Sequence, residues 1–76
     1  MAIKRLEAAV DQFAEAMKAK LRKKASAGWS GWDEMRPEDF VECARNHLSR
    51  VELGDPFQDV DVANFMAFHF AKREHL

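Results

Sequence analysis

The sequence predicts a small all-α protein, with one domain over residues 1–76 and three helices at about 2–27, 37–53 and 56–72. Apolar residues recur every three or four positions through much of these stretches, which is the period of a helix face. Residues that favour strands are few, since the chain has no Tyr and no Thr. A chain this short buries only about 60% of the surface that its unfolded form exposes. We therefore expect the helical bundle to be completed by oligomerisation.

The first helix carries one apolar stripe along its whole length. The stripe is made of residues spaced three or four apart: Ile3, Leu6, Val10, Phe13, Met17 and Leu21. Its last turns hold the basic run from Lys18 to Lys24, where positive charge opposes the negative end of the helix dipole. A second interpretation of this run is a patch that binds phosphate groups, with Lys20, Lys23 and Lys24 as its candidate residues.

Two tryptophans occupy the turn that follows. Gly28 and Gly31 break the helical period, because glycine adopts turn conformations readily. Trp29 and Trp32 lie in the same segment, and large aromatic residues in a small domain can close the open end of the core. Stacking on a nucleotide base is the alternative role for both side chains.

Prolines mark the starts of the second and third helices. Pro37 suits a first helical turn, and Gly54 supplies the stop of the second helix. Asp55 favours the N-cap of the third helix and Pro56 its first position. Gln58 stands three residues after Asp55, which predicts a capping box between the two.

Apolar residues surround the third helix instead of keeping to one side. A helix of this kind has to be covered on most sides. Two other helices leave part of it uncovered, so we expect a homo-dimer or a higher assembly. The predicted interface residues are Phe65, Met66, Phe68 and Phe70.

One carboxylate of the third helix, that of Asp61, lies in an otherwise apolar stretch. A carboxylate seldom enters such a stretch unpaired. It either pairs with a basic group such as Arg45, Arg50 or a first-helix lysine, or it coordinates a hard cation such as Mg²⁺. Asn64 lies one turn later on the same flank of the helix.

Three segments together resemble one enzyme family. They are DVANFMAF at residues 61–68, the basic helix FAEAMKAKLRKK at 13–24 and the turn GWSGWD at 28–33. In these segments the chain resembles the small phage- and prophage-type relatives of the all-α, MazG-like nucleoside triphosphate pyrophosphohydrolases. The resemblance implies Mg²⁺ held by a Glu-x-x-Glu pair and a Glu-x-x-Asp pair while the nucleotide is cleaved. Asp61 matches the aspartate of the second pair, and Asn64 matches an asparagine often found one turn later.

Most of that family's carboxylates are missing from this chain. Gln58 stands where the family has the glutamate of Glu-x-x-Asp, and the preceding helix has no Glu-x-x-Glu, since Glu42 is followed three residues later by Arg45. The loss of this negative charge argues against two-metal catalysis. We expect a degenerate, phage-derived and non-catalytic relative that needs no cofactor, or uses Mg²⁺ only where activity is retained.

Three functions are compatible with these observations. The first is the binding or sequestering of a nucleotide, for which the candidate residues are Asp61, Asn64, Trp29, Trp32, Lys20, Lys23 and Lys24. The second is a protein-interaction module that binds or inhibits a host protein through an apolar helix face and the tryptophan turn. The third is a retained Mg-dependent dNTP pyrophosphohydrolase, with Asp61 as a metal ligand and the missing carboxylates supplied by other subunits.

Charge and hydropathy limit the partners further. Residues 1–28 hold seven basic residues against three acidic ones, whereas residues 29–76 hold five against ten. The acidic second part argues against nucleic acid as a partner. No apolar run approaches the ~20 residues of a membrane span, and the N-terminus lacks the apolar core of a signal peptide. We expect a protein without membrane contact in the cytoplasm, which is the host cytoplasm if the protein is phage-encoded.

Overall fold

The computed structural model describes residues 2–74 and confirms the predicted all-α bundle. Helix α1 spans Ile3–Ser26, helix α2 spans Pro37–Glu52 and helix α3 spans Gln58–Glu74. One 3₁₀ turn, Trp32–Glu34, lies between α1 and α2. No helix in the described part of the chain is both long enough and apolar enough to cross a membrane.

Helix α3 is the centre of the bundle, since it packs against both α1 and α2 and its contact with α2 is the more extensive one. The core lies at that contact, where Phe40 and Ala44 of α2 meet Phe65 of α3. Phe40 is 0% exposed. Partly buried side chains complete this cluster: Met35, Cys43, Val62 and Phe68. The core therefore comes mainly from the second half of the chain.

Helix α2 begins and ends as the sequence predicts. The Arg36 backbone N–H donates to Asp39 Oδ2 at 2.9 Å, and Pro37 takes the first helical position. This bond satisfies one of the amide groups that a helix start leaves free. At the other end, Gly54 has a φ of 84°, a left-handed conformation that glycine adopts without steric cost.

The start of α3 differs from the prediction. The helix begins at Gln58 and not at Pro56, because Phe57 adopts a left-handed φ of 65° that interrupts helical geometry. Gln58 Oε1 accepts no hydrogen bond within the described residues, so the predicted capping box with Asp55 does not form. Asp59 contributes locally instead, since its Oδ1 accepts the Val60 N–H at 2.9 Å.

Phe40→Ala tests this assignment of the core. We expect it to lower the free energy of unfolding by about 3–5 kcal/mol, most of the stability of a domain this small, because it empties the fully buried site. The matched control is Phe70→Ala, which removes the same ring from a position that is 57% exposed. Urea unfolding followed by circular dichroism measures both. Equal losses in the two variants would contradict the core described here.

Candidate functional site

The carboxylate of Asp61 is clamped by two lysines of α1. Asp61 Oδ2 lies 3.5 Å from Lys20 Nζ, and Asp61 Oδ1 lies 3.5 Å from Lys24 Nζ. The Asp61 side chain is only 5% exposed, whereas both lysines reach solvent in part. Among the partners that the sequence allows for Asp61, the structure shows first-helix lysines. Arg45, another candidate, pairs with Glu42 on its own helix.

Asn64 joins the same two helices by a neutral contact. Its side chain is buried, and Asn64 Nδ2 donates to the Met17 carbonyl oxygen of α1 at 3.2 Å. Among the described residues, three buried oxygens of α3 accept no hydrogen bond, and they lie three residues apart on one flank: Gln58 Oε1, Asp61 Oδ1 and Asn64 Oδ1. Each lysine ammonium carries three N–H donors. Asp61 Oδ1, the middle of these three oxygens, therefore has N–H donors close by.

The residues around Asp61 do not fit a Mg²⁺ site. Mg²⁺ requires several oxygen ligands in near-octahedral geometry, and it is repelled by ammonium groups. Here one carboxylate faces Lys20 and Lys24, and a cation would have to displace both. Within residues 2–74, no three His, Cys, Asp or Glu side chains come together in a group that could hold a metal ion. Asp61 is thus placed as the centre of an ion-pair cluster.

Lys24 connects this cluster to the aromatic part of the molecule. Its Nζ lies 5.6 Å from the ring centroid of Trp29 and 5.2 Å from that of Phe65. A cation at these distances is attracted to the negative face of each ring. The ammonium of Lys24 is therefore held by one carboxylate and two rings at once, which gives this lysine a structural role.

The second candidate feature is an aromatic cavity formed by the tryptophan turn and α3. The rings of Trp29 and Trp32 lie 5.8 and 5.6 Å, centroid to centroid, from the ring of Phe68. The open cavity has a volume of about 620 Å³. Its apolar lining consists of these three rings with Leu21 and Ala25, and its polar lining is Ser30 and Asp33. No lysine or arginine is among the lining residues.

Local backbone geometry sets the two tryptophans around this cavity. The Trp29 N–H donates to the Lys24 carbonyl oxygen at 2.9 Å, which places Trp29 directly at the end of α1. Gly31 has a φ of 90° and allows the chain to reverse between the two tryptophans. Lys72 Nζ donates to the Asp33 carbonyl oxygen and ties the turn to the end of α3.

Phe68 lines the cavity, whereas its sequence pattern predicted an interface between chains. A signal was present, because Asp61, Phe65 and Phe68 follow one another at i, i+4 and i+7 and so share one face of α3. That face meets α1 and the tryptophan turn within one chain.

The phosphate and base candidates do not line a common cavity. Lys20 and Lys23 line a second, smaller cavity of about 260 Å³, together with Phe57 and Val60. The two cavities share no lining residue. At 100° per residue, the α1 positions that line the smaller cavity lie on the opposite side of the helix from Leu21 and Ala25. The structure therefore separates Lys20 and Lys23 from the predicted base platform, whereas Lys24 lies beside Trp29.

The four predicted interface residues of α3 also divide into two sets. Phe65 is buried at 7% exposure and Phe68 is partly buried against the core, so α1, α2 and the turn already cover that side. Met66 and Phe70 are exposed on the other side of the helix, with the Arg73 guanidinium 5.3 Å from the Phe70 ring. Only this second pair is open to a partner in the chain as described.

Asp61→Asn tests the ion-pair cluster. The change keeps the shape of the side chain but leaves two ammonium groups facing each other, so we expect a loss of about 2 kcal/mol in the free energy of unfolding, discounted for the partial exposure of the lysines. The control is Glu42→Gln, the same carboxylate-to-amide change at an exposed pair 2.8 Å from Arg45. Its expected effect is below about 0.5 kcal/mol. Chemical denaturation compares them, and an Asp61→Asn loss no larger than the control would remove Asp61 from the structural role assigned here.

Comparison with known proteins gives no further assignment. No family model matches the chain, and no curated protein or solved structure matches it either. The resemblance to MazG-like pyrophosphohydrolases therefore stays a prediction that rests on the residues quoted for it.

Proposed function

We propose that this protein is a non-catalytic binding module whose aromatic cavity accepts an apolar, preferably aromatic, side chain of a partner protein. The observation that carries the proposal is the cavity wall, in which Trp29, Trp32 and Phe68 present three rings around an open space of about 620 Å³. Sites for small ligands commonly fall between about 300 and 1,000 Å³ and are mostly apolar. Tryptophan-rich pockets are also where protein partners place their strongest anchors.

The charges favour a protein side chain over a nucleotide. A nucleotide places several negative charges within a few ångströms of its base, and these charges need basic partners. The lining of the aromatic cavity offers Ser30 and the acidic residue Asp33 instead. Lys20 lines the other cavity, and the Lys24 ammonium is held by Asp61. A neutral aromatic side chain brings no negative charge next to Asp33 and needs no basic partner.

The same geometry supports a structural and not a catalytic role for the matched family residues. Asp61 is occupied by two lysines, and Asn64 donates to the α1 backbone. A carboxylate in this setting has no free face for a metal-bound substrate. We propose a MazG-like origin in which these two residues were kept for packing, and a site of action in the cytoplasm, that of the host if the gene is phage-borne.

Nucleotide binding is a second candidate because of one contact. Lys24 Nζ lies 5.6 Å from the centroid of the Trp29 ring, so a nucleotide base beside Trp29 would also lie near a positive charge. This candidate predicts that a nucleotide binds more tightly than a neutral aromatic amide, whereas the first candidate predicts the opposite order.

A titration followed by NMR tests the proposal and separates the two candidates. The indole N–H signals of the two tryptophans report on the cavity directly. The probes are N-acetylphenylalaninamide, N-acetylalaninamide and dATP. With the phenylalanine amide we expect saturable shifts of both indole signals, with a dissociation constant of about a millimolar because so small a probe has few atoms for contact. With the alanine amide we expect no saturable shift.

Trp32→Ala supplies the matched variant, since it removes one cavity wall at a position that is not part of the core. We expect it to weaken phenylalanine amide binding at least about tenfold while leaving the helical circular dichroism unchanged. Phe70→Ala, which removes a ring from outside the cavity, should bind like the original chain. Absence of any shift with the phenylalanine amide would refute the proposed function, and tighter binding of dATP would favour the nucleotide candidate.

A further inference from the structure

The smaller cavity lies beside the lysine-clamped aspartate, where α1 meets the start of α3, and the proposed function does not use it. Its volume is about 260 Å³. Among the described residues, six line it: Ala16, Ala19, Lys20, Lys23, Phe57 and Val60. Four of these side chains are apolar and two are basic, and none is acidic. We call this space the lysine cavity.

The lysine cavity has an excess of positive charge in its wall. Asp61 faces two ammonium groups, those of Lys20 and Lys24, each at 3.5 Å, so its single negative charge compensates only one of them. Lys23 is exposed and forms no ion pair with any described side chain. Asp59 is the nearest acidic residue in sequence to the lining of α3, but its Oδ1 accepts a backbone N–H of its own helix. The wall is therefore suited to an anion.

Phe57 gives an independent indication that this place binds a ligand. Its φ of 65° is a strained conformation for an aromatic residue. Its ring is 68% exposed, so burial of the ring does not offset the strain in the free chain. Strained residues concentrate at ligand-binding sites, where the strain positions a side chain for the ligand. Here the strained residue adds an aromatic ring to the wall of the lysine cavity.

We propose that the lysine cavity binds a small alkyl carboxylate. Charge complementarity selects the head, which is bound by Lys20 and Lys23. Lys20 can keep its contact with Asp61, because an ammonium group carries three N–H donors. The apolar lining selects an alkyl tail, and the volume limits its length, since most ligand cavities hold about 300–1,000 Å³. The two cavities share no lining residue, so this site is independent of the proposed function.

A ligand series followed by NMR tests the head and the tail separately. The methyl signals of Ala19 and Val60 report on the lysine cavity, and the indole signals of Trp29 and Trp32 report on the aromatic cavity. Hexanoate, hexanol and hexylammonium share one tail and differ in the head, whereas acetate has the head without the tail. We expect saturable methyl shifts with hexanoate and binding of hexanol about fivefold weaker. Hexylammonium and acetate should give no saturable shift, because each lacks one of the two contacts.

Two variants separate the same contacts within the protein. Lys23→Gln should lower the ratio of hexanoate to hexanol affinity about threefold, and about 1 M salt should lower this ratio in the original chain. Arg22→Gln is the control, because it removes a basic side chain from the next position on α1, which does not line the cavity, and should leave the ratio unchanged. Phe57→Ala removes an exposed wall and should weaken hexanoate and hexanol alike. Circular dichroism checks that each variant keeps its helices.

Several results would overturn the proposal. They are the absence of a saturable methyl shift with hexanoate, shifts confined to the indole signals, and hexanol binding as tight as that of hexanoate. An unchanged ratio in Lys23→Gln, or an equal fall of the ratio in Arg22→Gln, would do the same. Tighter binding of N-acetylleucine than of hexanoate would overturn it in favour of the carboxyl end of a protein. Each of these results leaves the titration of the aromatic cavity with the phenylalanine amide as a separate test.

Discussion

The buried carboxylate of Asp61 is the constraint on which the rest of the structure depends. A carboxylate at this depth costs several kcal/mol if it is left without a cation, and breaking one side of a buried pair is strongly destabilising. Its two cations both come from α1. A slide of α1 along α3 by one turn would leave Asp61 with only one of its two lysines, because Lys20 and Lys24 are themselves one turn apart. The Asn64 bond to the Met17 carbonyl oxygen fixes the same register from the next turn.

This constraint extends to the aromatic cavity through Lys24. The lysine that holds Asp61 also lies against Trp29 and Phe65. The position of α3 over α1 thus determines where Trp29 meets Phe68, and hence the shape of the cavity. Polar contacts between helices are best attested as devices that select one register among several similar ones. The apolar stripe of α1, which repeats every three or four residues, offers such alternatives, and the observed register is the one that gives Asp61 both Lys20 and Lys24.

Much of the fold could be predicted from the sequence, because helix periodicity and glycine stops are local properties. The start of α3 could not, since Phe57 takes a left-handed conformation that aromatic residues rarely adopt. For Asp61, the sequence limited the partner to a few bases or a cation, but the choice depends on how α1 crosses α3. The same crossing decides that Lys20 and Trp29 belong to different cavities. Neither relation is encoded in spacing along the chain.

The same contacts also decide which part of α1 is held. Both cations of Asp61 and the Met17 carbonyl oxygen that Asn64 binds belong to the second half of that helix. Residues 2–13 are all exposed. Two of the residues that line the aromatic cavity lie in the held half. The cavity is therefore built on the part of α1 whose position is fixed before a ligand arrives, and a pre-formed site lowers the cost of ordering side chains on binding.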